Sequence, residues 1–281
     1  MIHEAGVALR VESLAKTYGP GCEQCRGDRP LKLERNYCPE CGTVYALRGL
    51  SFDLYEGEVL GVVGESGSGK STVLNCLFFD TEPSSGRAFL AAHEGGREDI
   101  FGASAQGRRA IRNELFGKVY QDPTQGLRMD FSAISNIAER LIASGSRNVA
   151  SMEARAVSLL GHVSIPAVRM REAPRRFSGG MRQRVQIARA LSTNPPVLLL
   201  DEVTTGLDLS VQAKVLDLVR QIQRELGISM LLVSHDLGVI RMLADRTIVM
   251  LDGEVVESGL TDQVLEDPQH PYSQELVRSM L

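Results

Sequence analysis

The sequence predicts an α/β protein that carries a mostly helical insert. Short apolar runs at 59–63, 197–200 and 229–233 have the length and composition of strands buried on both faces. Helix-forming residues dominate between residues 131 and 191, where strand signals are few. Buried strands separated by helical segments are typical of the α/β class.

The composition is that of an ordinary globular protein, with 281 residues, 43% apolar and 23% charged residues and a net charge of −4. This length allows one large domain or two lobes. No apolar run approaches the roughly 18 residues of a membrane span, and residues 1–4 lack the pattern of a signal peptide. We therefore expect a cytoplasmic protein without direct membrane insertion. Because the net charge is slightly negative, we expect no general attraction to nucleic acid.

The first quarter of the chain is predicted to contain strands interrupted by an insertion. Residues 7–18 and 50–54 alternate in polarity, and the buried run 59–63 follows a Glu-Gly-Glu turn. A cysteine-containing segment separates the first two strands. Residues 70–80 have a helical pattern.

The last third of the chain is predicted to contain further buried strands. The pair Pro195-Pro196 breaks the chain before the strand at 197–200, and a helix at 210–226 precedes the strand at 229–233. Residues 247–257 predict a hairpin whose turn is Asp252-Gly253.

Four clustered cysteines have the spacing of a four-thiolate zinc ribbon. They read Cys22-x2-Cys25-x12-Cys38-x2-Cys41. The charged stretch 26–35 between the pairs has too few apolar residues to fold without a metal. We predict one Zn²⁺ in a structural or docking role, since four protein ligands leave no open position for catalysis. A redox dithiol pair is the alternative.

A phosphate-binding loop is predicted directly after the strand at 59–63. The segment reads Gly64-Glu65-Ser66-Gly67-Ser68-Gly69-Lys70-Ser71 and matches G-x-x-x-x-G-K-[ST]. Its glycines let backbone N–H groups converge on phosphates at a helix N-terminus. Lys70 adds a positive charge, and the Ser71 hydroxyl is a ligand for Mg²⁺.

A pair of carboxylates ends the strand at 197–200. Asp201 is placed to reach the Mg²⁺ beside the phosphate loop, and Glu202 to orient and deprotonate the attacking water. Taken alone, such a pair would be a solvated strand end. Together with the phosphate loop, it predicts a nucleoside triphosphatase.

The stretch before these carboxylates carries a resemblance to a known family. It reads Phe177-Ser178-Gly179-Gly180-Met181-Arg182-Gln183-Arg184. This string is similar to the signature sequence of ATP-binding-cassette (ABC) ATPases, and the motifs along the chain stand in the order of that family. The resemblance implies an ABC nucleotide-binding domain with a RecA-like core, an antiparallel β subdomain and a helical subdomain.

The resemblance also implies where the domains lie. The RecA-like and β core would comprise 1–121 and 193–281, and the helical signature subdomain 122–192. The zinc ribbon would be an insertion at 19–45.

The resemblance further implies the roles of individual residues. Catalytic roles fall on Glu202, His235 as the switch histidine, Lys70 and the Q-loop residue Gln121. The Mg²⁺ ligands would be Ser71, Gln121 and Asp201. The residues implied to contact nucleotide are Tyr18, Gly64, Glu65, Ser66, Gly67, Ser68, Gly69, Lys70, Ser71, Thr72, Ser178, Gly179, Gly180 and the D-loop Asp208. An aromatic ring can stack on adenine, and Tyr45 competes with Tyr18 for that role.

Two positions depart from the family pattern. Met181 replaces a common Gln in the signature, and Val203 stands where a Pro usually follows the catalytic Glu. Neither position supplies a phosphate contact, but Val203 is expected to loosen the loop that holds Glu202.

Strings within 244–273 are similar to the subgroup of ABC ATPases that serve carbon-phosphorus lyase systems of phosphonate breakdown. Peptide and nickel importer ATPases share many of these strings and usually continue well past this segment, whereas the sequence ends at Leu281. We therefore expect the lyase subgroup. An importer ATPase is the first alternative.

The resemblance implies two ATP molecules sandwiched in a head-to-tail homodimer. The expected partners are soluble lyase-complex subunits and a second ABC ATPase subunit, driven by opening and closing of the dimer. A non-catalytic docking protein that uses ATP as a structural ligand is another alternative, and a repair or translation ATPase ranks third.

A basic run accompanies the signature. Its members are Arg169, Arg171, Arg175, Arg176, Arg182, Arg184 and Arg189. No aromatic residues interleave to stack bases, so we expect a solvated helix face with salt bridges and no nucleic-acid partner.

Overall fold

The computed structural model describes residues 6–26 and 35–279. Within them, the strands are β1 (Val7–Tyr18), β2 (Val44–Tyr55), β3 (Val59–Val63), β4 (Ser85–Leu90), β5 (Phe116–Val119), β6 (Val197–Asp201), β7 (Ser229–Val233), β8 (Arg246–Leu251) and β9 (Glu254–Leu260). The α-helices are α1 (Glu23–Arg26), α2 (Lys70–Leu77), α3 (Ala105–Ala110), α4 (Pro123–Gly126), α5 (Ala133–Ala143), α6 (Val149–His162), α7 (Gly179–Ala190), α8 (Leu209–Leu226), α9 (Leu237–Leu243), α10 (Thr261–Glu266) and α11 (Pro271–Arg278). The predicted α/β class is confirmed. The residues 1–4 and most of the charged stretch 26–35 lie outside the described residues.

The chain divides into two compact units. The helical unit comprises Met1–Ala8, Tyr55–Val59 and Ala103–Leu232. The loop unit, which contains the phosphate loop, comprises Leu9–Leu54, Leu60–Gly102 and Val233–Leu281.

In the helical unit, β5, β6 and β7 are neighbours in that order. The pair β5 and β6 is parallel, with Phe116 opposite Val197 and Val119 opposite Leu200. Every residue of both strands is buried. Burial on both faces explains the apolar run of β6, whereas β5 is short and includes Gly117 and Lys118, so its sequence gives no clear strand signal. This core carries Asp201 at the carboxyl end of β6.

The helix-rich stretch of the helical unit contains α5, α6 and α7, as the composition predicted. Each of these helices begins with a polar cap, since Ser132, Asn148 and Ser178 accept a hydrogen bond from the third following backbone N–H. The helix predicted at 210–226 is α8, and Asp208 caps it in the same way.

In the loop unit, β2, β1 and β4 form one sheet in that order, while β3, β8 and β9 are neighbours. The pair β3 and β8 is parallel, and β8 and β9 form an antiparallel hairpin. Asp252 and Gly253 have φ angles of 49° and 84°, so the predicted hairpin turn is confirmed. Strand β2 begins at Val44 rather than at 50, and β4 and β5 were not predicted.

Candidate functional site

The predicted phosphate loop lies between β3 and α2 in the loop unit. Every residue of β3 is buried, and α2 begins at Lys70, so Ser71 and Thr72 stand in its first turn. Gly64 has a φ of 150°, and a Cβ there would overlap the carbonyl oxygen of Met250. A buried strand, a glycine loop and a helix N-terminus together form an arrangement that binds phosphate.

The Lys70 ammonium is held inside the loop. The residue is 5% exposed, and its Nζ donates to the carbonyl oxygens of Gly64 at 2.8 Å and Glu65 at 2.7 Å. A buried ammonium needs such acceptors. The loop therefore presents a fixed positive charge that phosphate oxygens can approach.

Three groups outside the loop also bond its backbone. The Tyr272 hydroxyl accepts from the Glu65 N–H at 2.9 Å, and the Gly253 N–H donates to the Ser68 carbonyl at 3.1 Å. The Asn36 side-chain amide donates to the Gly67 carbonyl at 3.3 Å. None of these contacts could be predicted from sequence, because each joins residues far apart in the chain.

His235 follows β7 and is exposed in the loop unit. The preceding Ser234 N–H donates to the Val62 carbonyl at 3.2 Å, beside the end of the strand that leads into the phosphate loop. Asp236 then caps α9 by accepting from the Gly238 N–H at 2.8 Å. The local backbone therefore carries His235 next to the phosphate-loop strand.

The structure brings Glu202 and Gln121 together in the helical unit. The Gln121 amide donates to Glu202 Oε2 at 2.8 Å, and the Thr205 hydroxyl donates to the same oxygen at 3.1 Å. Glu202 follows the buried Asp201 and has a φ of 43°, a left-handed conformation that is uncommon for glutamate. Such strain is typical of functional sites, so this carboxylate fits the role of an oriented base.

The loop after Glu202 closes on itself despite the valine at position 203. Val203 is 2% exposed, and the Thr205 N–H donates to the Glu202 carbonyl at 3.1 Å. The Leu207 N–H donates to the Thr204 carbonyl at 3.2 Å. Burial of the Val203 side chain and these two hydrogen bonds support the loop, and the expected effect of the valine stays a prediction.

The signature residues lie at the start of α7. Ser178 caps the helix by accepting from the Met181 N–H at 3.4 Å, and both Ser178 and Gly179 are exposed. Gly180 is buried against α8, where a Cβ would overlap the Val211 side chain. The exposed N-terminus of α7 therefore offers N–H groups and a hydroxyl that suit an anion.

Asp208 lies at the start of α8. The Ser210 hydroxyl donates to its carboxylate at 2.8 Å and the Val211 N–H at 3.0 Å, and these hydrogen bonds lower the pKa of Asp208. The Asp208 carboxylate is thus a charged cap of α8.

Gln186 of α7 ties the signature helix to the backbone just before Gln121. Its side chain is 1% exposed, accepts from the Tyr120 N–H at 2.7 Å and donates to the Tyr120 carbonyl at 3.0 Å. A Cβ at Gly126 would overlap this amide, so the glycine makes room for it. Gln186 was not among the predicted site residues, since a lone glutamine carries no signal for a partner 66 residues away.

The arginines around the signature mostly have partners within the helical unit. Ion pairs join Arg169 to Glu172 at 3.0 Å and Arg175 to Asp130 at 2.7 Å. Arg184 donates to the carbonyl oxygen of Ser164 at 2.9 Å. These contacts agree with the expected salt-bridged helix face.

The structure gathers the four ribbon cysteines into one cluster. Their sulfur atoms all lie within 4.8 Å of one another, with Cys22 3.6 Å from Cys25 and 3.8 Å from Cys38, and Cys25 3.7 Å from Cys41. A tetrahedron with Zn–S bonds of about 2.3 Å has edges of about 3.8 Å. The cluster therefore has the size of a four-thiolate metal site.

Hydrogen bonds lower the pKa of two of the clustered cysteines, Cys25 and Cys41. At Cys22 a backbone hydrogen bond from Cys25 lowers the pKa, but burial and side-chain hydrogen bonds with Cys25 and Cys41 outweigh it and raise the pKa to about 11. A bond from the Tyr45 side chain and one from the Cys22 N–H lower the pKa of Cys25 to about 6. The side chain and then the backbone of Thr43 lower the pKa of Cys41. Because metals bind the deprotonated thiol, these bonds favour metal binding.

The two candidate adenine-stacking tyrosines differ in their surroundings. The Tyr45 hydroxyl donates to the Cys25 carbonyl at 2.7 Å, and hydrogen bonding to Cys25 raises the pKa of Tyr45 to about 12. The Tyr18 ring is 42% exposed, with the Lys16 ammonium 4.9 Å from its centre. Tyr45 is thus engaged by the ribbon, whereas Tyr18 offers an exposed ring face.

Among the described residues, no helix is long and apolar enough to cross a membrane. The sequence model of a family described as ABC transporter matches residues 47–205. The phosphonates utilization ATP-binding protein PhnK of Escherichia coli (strain K12) is 51% identical over 232 residues, which cover 83% of this chain and 90% of that protein.

A second relative and two solved structures extend the comparison. The oligopeptide transport ATP-binding protein OppD of Bacillus subtilis (strain 168) is 39% identical over 243 residues, covering 85% of this chain and 67% of that protein. The ATP-binding cassette MJ0796, in a dimeric post-hydrolysis state bound to ADP and Pi, is similar with a TM-score of 0.74 and 28% identity over 90% of this chain and 98% of that one. Another dimeric MJ0796 structure has a TM-score of 0.73 with the same identity and the same shares of both chains.

Proposed function

Because the chain belongs to the ABC transporter family of ATP-hydrolysing cassettes, we propose that its ATP hydrolysis drives a conformational change. The similarity to PhnK leads us to propose a carbon-phosphorus lyase assembly as the partner that changes. The predicted ABC nucleotide-binding fold is confirmed by the same family and by the structural neighbours. Cassettes of this family use ATP and Mg²⁺.

The proposed chemistry follows the template for phosphoryl transfer. Lys70 and the N-terminus of α2 would neutralise charge on the phosphates, and Ser71, Gln121 and Asp201 would hold Mg²⁺, which stabilises the developing negative charge. Glu202, oriented by its 2.8 Å bond from Gln121, would take the proton from the attacking water.

The remaining assigned residues complete the proposed site. His235 would hold the γ-phosphate, and the exposed ring of Tyr18 would stack on adenine. The nucleotide contacts of the phosphate loop from Gly64 to Thr72 are proposed on the motif match.

We propose that the working form is a head-to-tail homodimer. Each ATP would lie between the Lys70 loop of one subunit and Ser178 to Gly180 of the other. Exposure of Ser178 and Gly179 at the N-terminus of α7 supports this, and the similar MJ0796 cassettes are dimeric. A second ABC ATPase subunit is proposed as a further partner.

The lyase role rests on one observation. Identity is 51% to a protein named for phosphonates utilization but 39% to an oligopeptide transport protein, over similar shares of this chain. On this basis the helical subdomain, proposed at 122–192, docks on soluble lyase subunits, while the core comprises 1–121 and 193–281.

Isolation from cells grown on a phosphonate as the sole phosphorus source tests this role. The tagged protein should recover soluble lyase subunits, and Lys70→Ala should abolish growth on the phosphonate without stopping its uptake. Recovery of an integral membrane permease, or loss of uptake with Lys70→Ala, would favour the importer function suggested by the OppD relative.

We also propose that the cysteine cluster binds one Zn²⁺ in a ribbon at 19–45. The observed sulfur separations of 3.6 to 3.8 Å, close to the tetrahedral edge of about 3.8 Å, support it. Elemental analysis of protein purified without chelator should find one zinc per chain. A Cys22–Cys25 disulfide without metal would contradict the site and leave the ATPase untouched.

A further inference from the structure

The cysteine ribbon, described at residues 22–26 and 35–45, contacts the phosphate loop within the loop unit. The Asn36 amide donates to the Gly67 carbonyl at 3.3 Å, and the Arg35 guanidinium lies 3.7 Å from the Glu65 carboxylate. The ion pair is exposed on both sides and contributes little. Of these two contacts, the amide bond to the loop backbone is therefore the one that restrains the loop.

The Asn36 contact adds a second restraint to the peptide unit that joins Gly67 to Ser68. Gly67 has a φ of 86°, and a Cβ there would meet no atom of the described residues within 4 Å. Because a peptide unit is planar, holding the Gly67 carbonyl also fixes the direction of the Ser68 N–H. That N–H donates to the Glu65 carbonyl at 3.2 Å and closes the turn of the loop.

Asn36 is itself held by the frame of the cysteine cluster. Its carbonyl accepts from the Tyr45 N–H at 2.7 Å, and the Tyr45 hydroxyl donates to the Cys25 carbonyl at 2.7 Å. Two residues after Asn36, the Cys38 N–H donates to the Thr43 carbonyl at 2.8 Å. Every bond that positions Asn36 thus lies within or beside the two cysteine pairs.

A second path joins the ribbon to the end of the phosphate loop. A Cβ at Gly69 would overlap the Ala46 carbonyl oxygen, and one at Gly253 would lie 2.9 Å from the Tyr45 carbonyl oxygen. Gly253 in turn donates to the Ser68 carbonyl at 3.1 Å. The strand that leaves the ribbon is therefore packed directly on the loop.

We propose that the metal-bound ribbon positions the phosphate loop, with Asn36 as the positioning residue, so that nucleotide affinity depends on metal occupancy. The inference rests on the proposed zinc site. A small ribbon of this kind has no stable frame without its metal, so loss of the metal would release Asn36 and with it the Gly67 carbonyl.

Calorimetric titration of the full chain with MgADP tests the proposal in four samples, which are wild type and Asn36→Ala, each zinc-loaded and chelator-stripped. Loaded Asn36→Ala should bind MgADP about three- to tenfold more weakly than loaded wild type, the range for loss of one neutral hydrogen bond. Removal of zinc from wild type should weaken MgADP binding at least as much. Removal of zinc from Asn36→Ala should weaken MgADP binding by a smaller factor than it does in wild type. Asn36→Asp keeps the shape of the side chain but removes the donor. Its loss of MgADP affinity should equal or exceed that of Asn36→Ala.

Controls separate positioning from unfolding. Gln24→Ala removes an exposed amide from the other cysteine pair and should leave MgADP affinity unchanged. Circular dichroism should show that the core stays folded in each sample. For Asn36→Ala, KM for ATP should rise while kcat at saturating ATP stays the same, because Glu202 and Gln121 are untouched.

Either of two results would overturn the proposal. One is equal affinity, within about twofold, in loaded and stripped wild type, and the other is wild-type affinity in loaded Asn36→Ala. Zinc measured in the same samples identifies a failure of the metal site itself, since protein that takes up no zinc refutes both the site and the coupling. Phosphate release in those samples reports separately on the ATPase.

Discussion

Replacement of Gln186 by methionine is expected to loosen the link between the signature helix and the Q-loop. The change keeps the length and volume of the side chain but removes hydrogen bonds of 2.7 and 3.0 Å to the Tyr120 backbone. Each backbone group left without a partner costs about 1–3 kcal/mol, and Tyr120 is only half-buried, so we expect the lower part of that range for each. The predicted loss is about 2–4 kcal/mol, or roughly 5–10 °C in Tm.

Thermal unfolding and steady-state phosphate release together test this prediction. Tyr120 precedes Gln121, whose amide holds Glu202, so kcat should fall more than KM rises. Gly126→Ala should act in the same direction because its new methyl group would displace the Gln186 amide. The control Gln221→Met, on an exposed face of α8, should change Tm by less than about 2 °C. A Gln186→Met protein with wild-type Tm and kcat would contradict this prediction.

Three further predictions follow from individual contacts. Gly180→Ala should destabilise the protein by about 1–3 kcal/mol because its Cβ would overlap Val211, and Val211→Ala should restore part of the loss in thermal unfolding. Tyr18→Ala should weaken MgADP binding by about tenfold in calorimetry, and wild-type affinity in this variant would contradict the assignment. Burial would raise the pKa of Glu257, but N–H donors from Gln269 and His270 lower it below the usual 4.5. The ionised carboxylate therefore stabilises the fold above pH 4.5, and this stabilisation is lost as the pH falls through the lowered pKa. The free energy of unfolding, measured in an acid titration, should therefore fall less with decreasing pH in Glu257→Gln than in wild type.

Sequence patterns predicted the elements whose signals are local. The strands β3, β6 and β7 are unbroken apolar runs, the phosphate loop has a fixed spacing, and the hairpin turn contains Asp252-Gly253. In each case the residues that decide the structure are neighbours in the chain.

Elements decided by distant contacts escaped prediction. Strand β5 has only four residues, including Gly117 and Lys118, yet all are buried, and Lys118 is accommodated with its ammonium 4.5 Å from the Tyr120 ring centre. Strand β4 begins Ser-Gly-Arg, a sequence typical of a turn, and is fixed by antiparallel pairing with β1.

The supporting residues of the site were missed for the same reason. Tyr272 bonds the phosphate loop across 207 residues of chain, and Gln186 bonds Tyr120 across 66. The motifs allowed candidate roles for Lys70 and Glu202 to be predicted from sequence, but not the groups that hold their loops. Those groups required the folded structure.

Glu202 is the proposed base of the ATPase, and the Glu202→Gln variant tests this role. Phosphate release should fall by about 10²–10⁴-fold, since an amide is a far poorer base, while calorimetry should show MgATP binding retained. With ATP and Mg²⁺ the variant should elute as a dimer in size-exclusion chromatography. Turnover near the wild-type rate, with only monomer present, would contradict both the assigned base and the head-to-tail dimer.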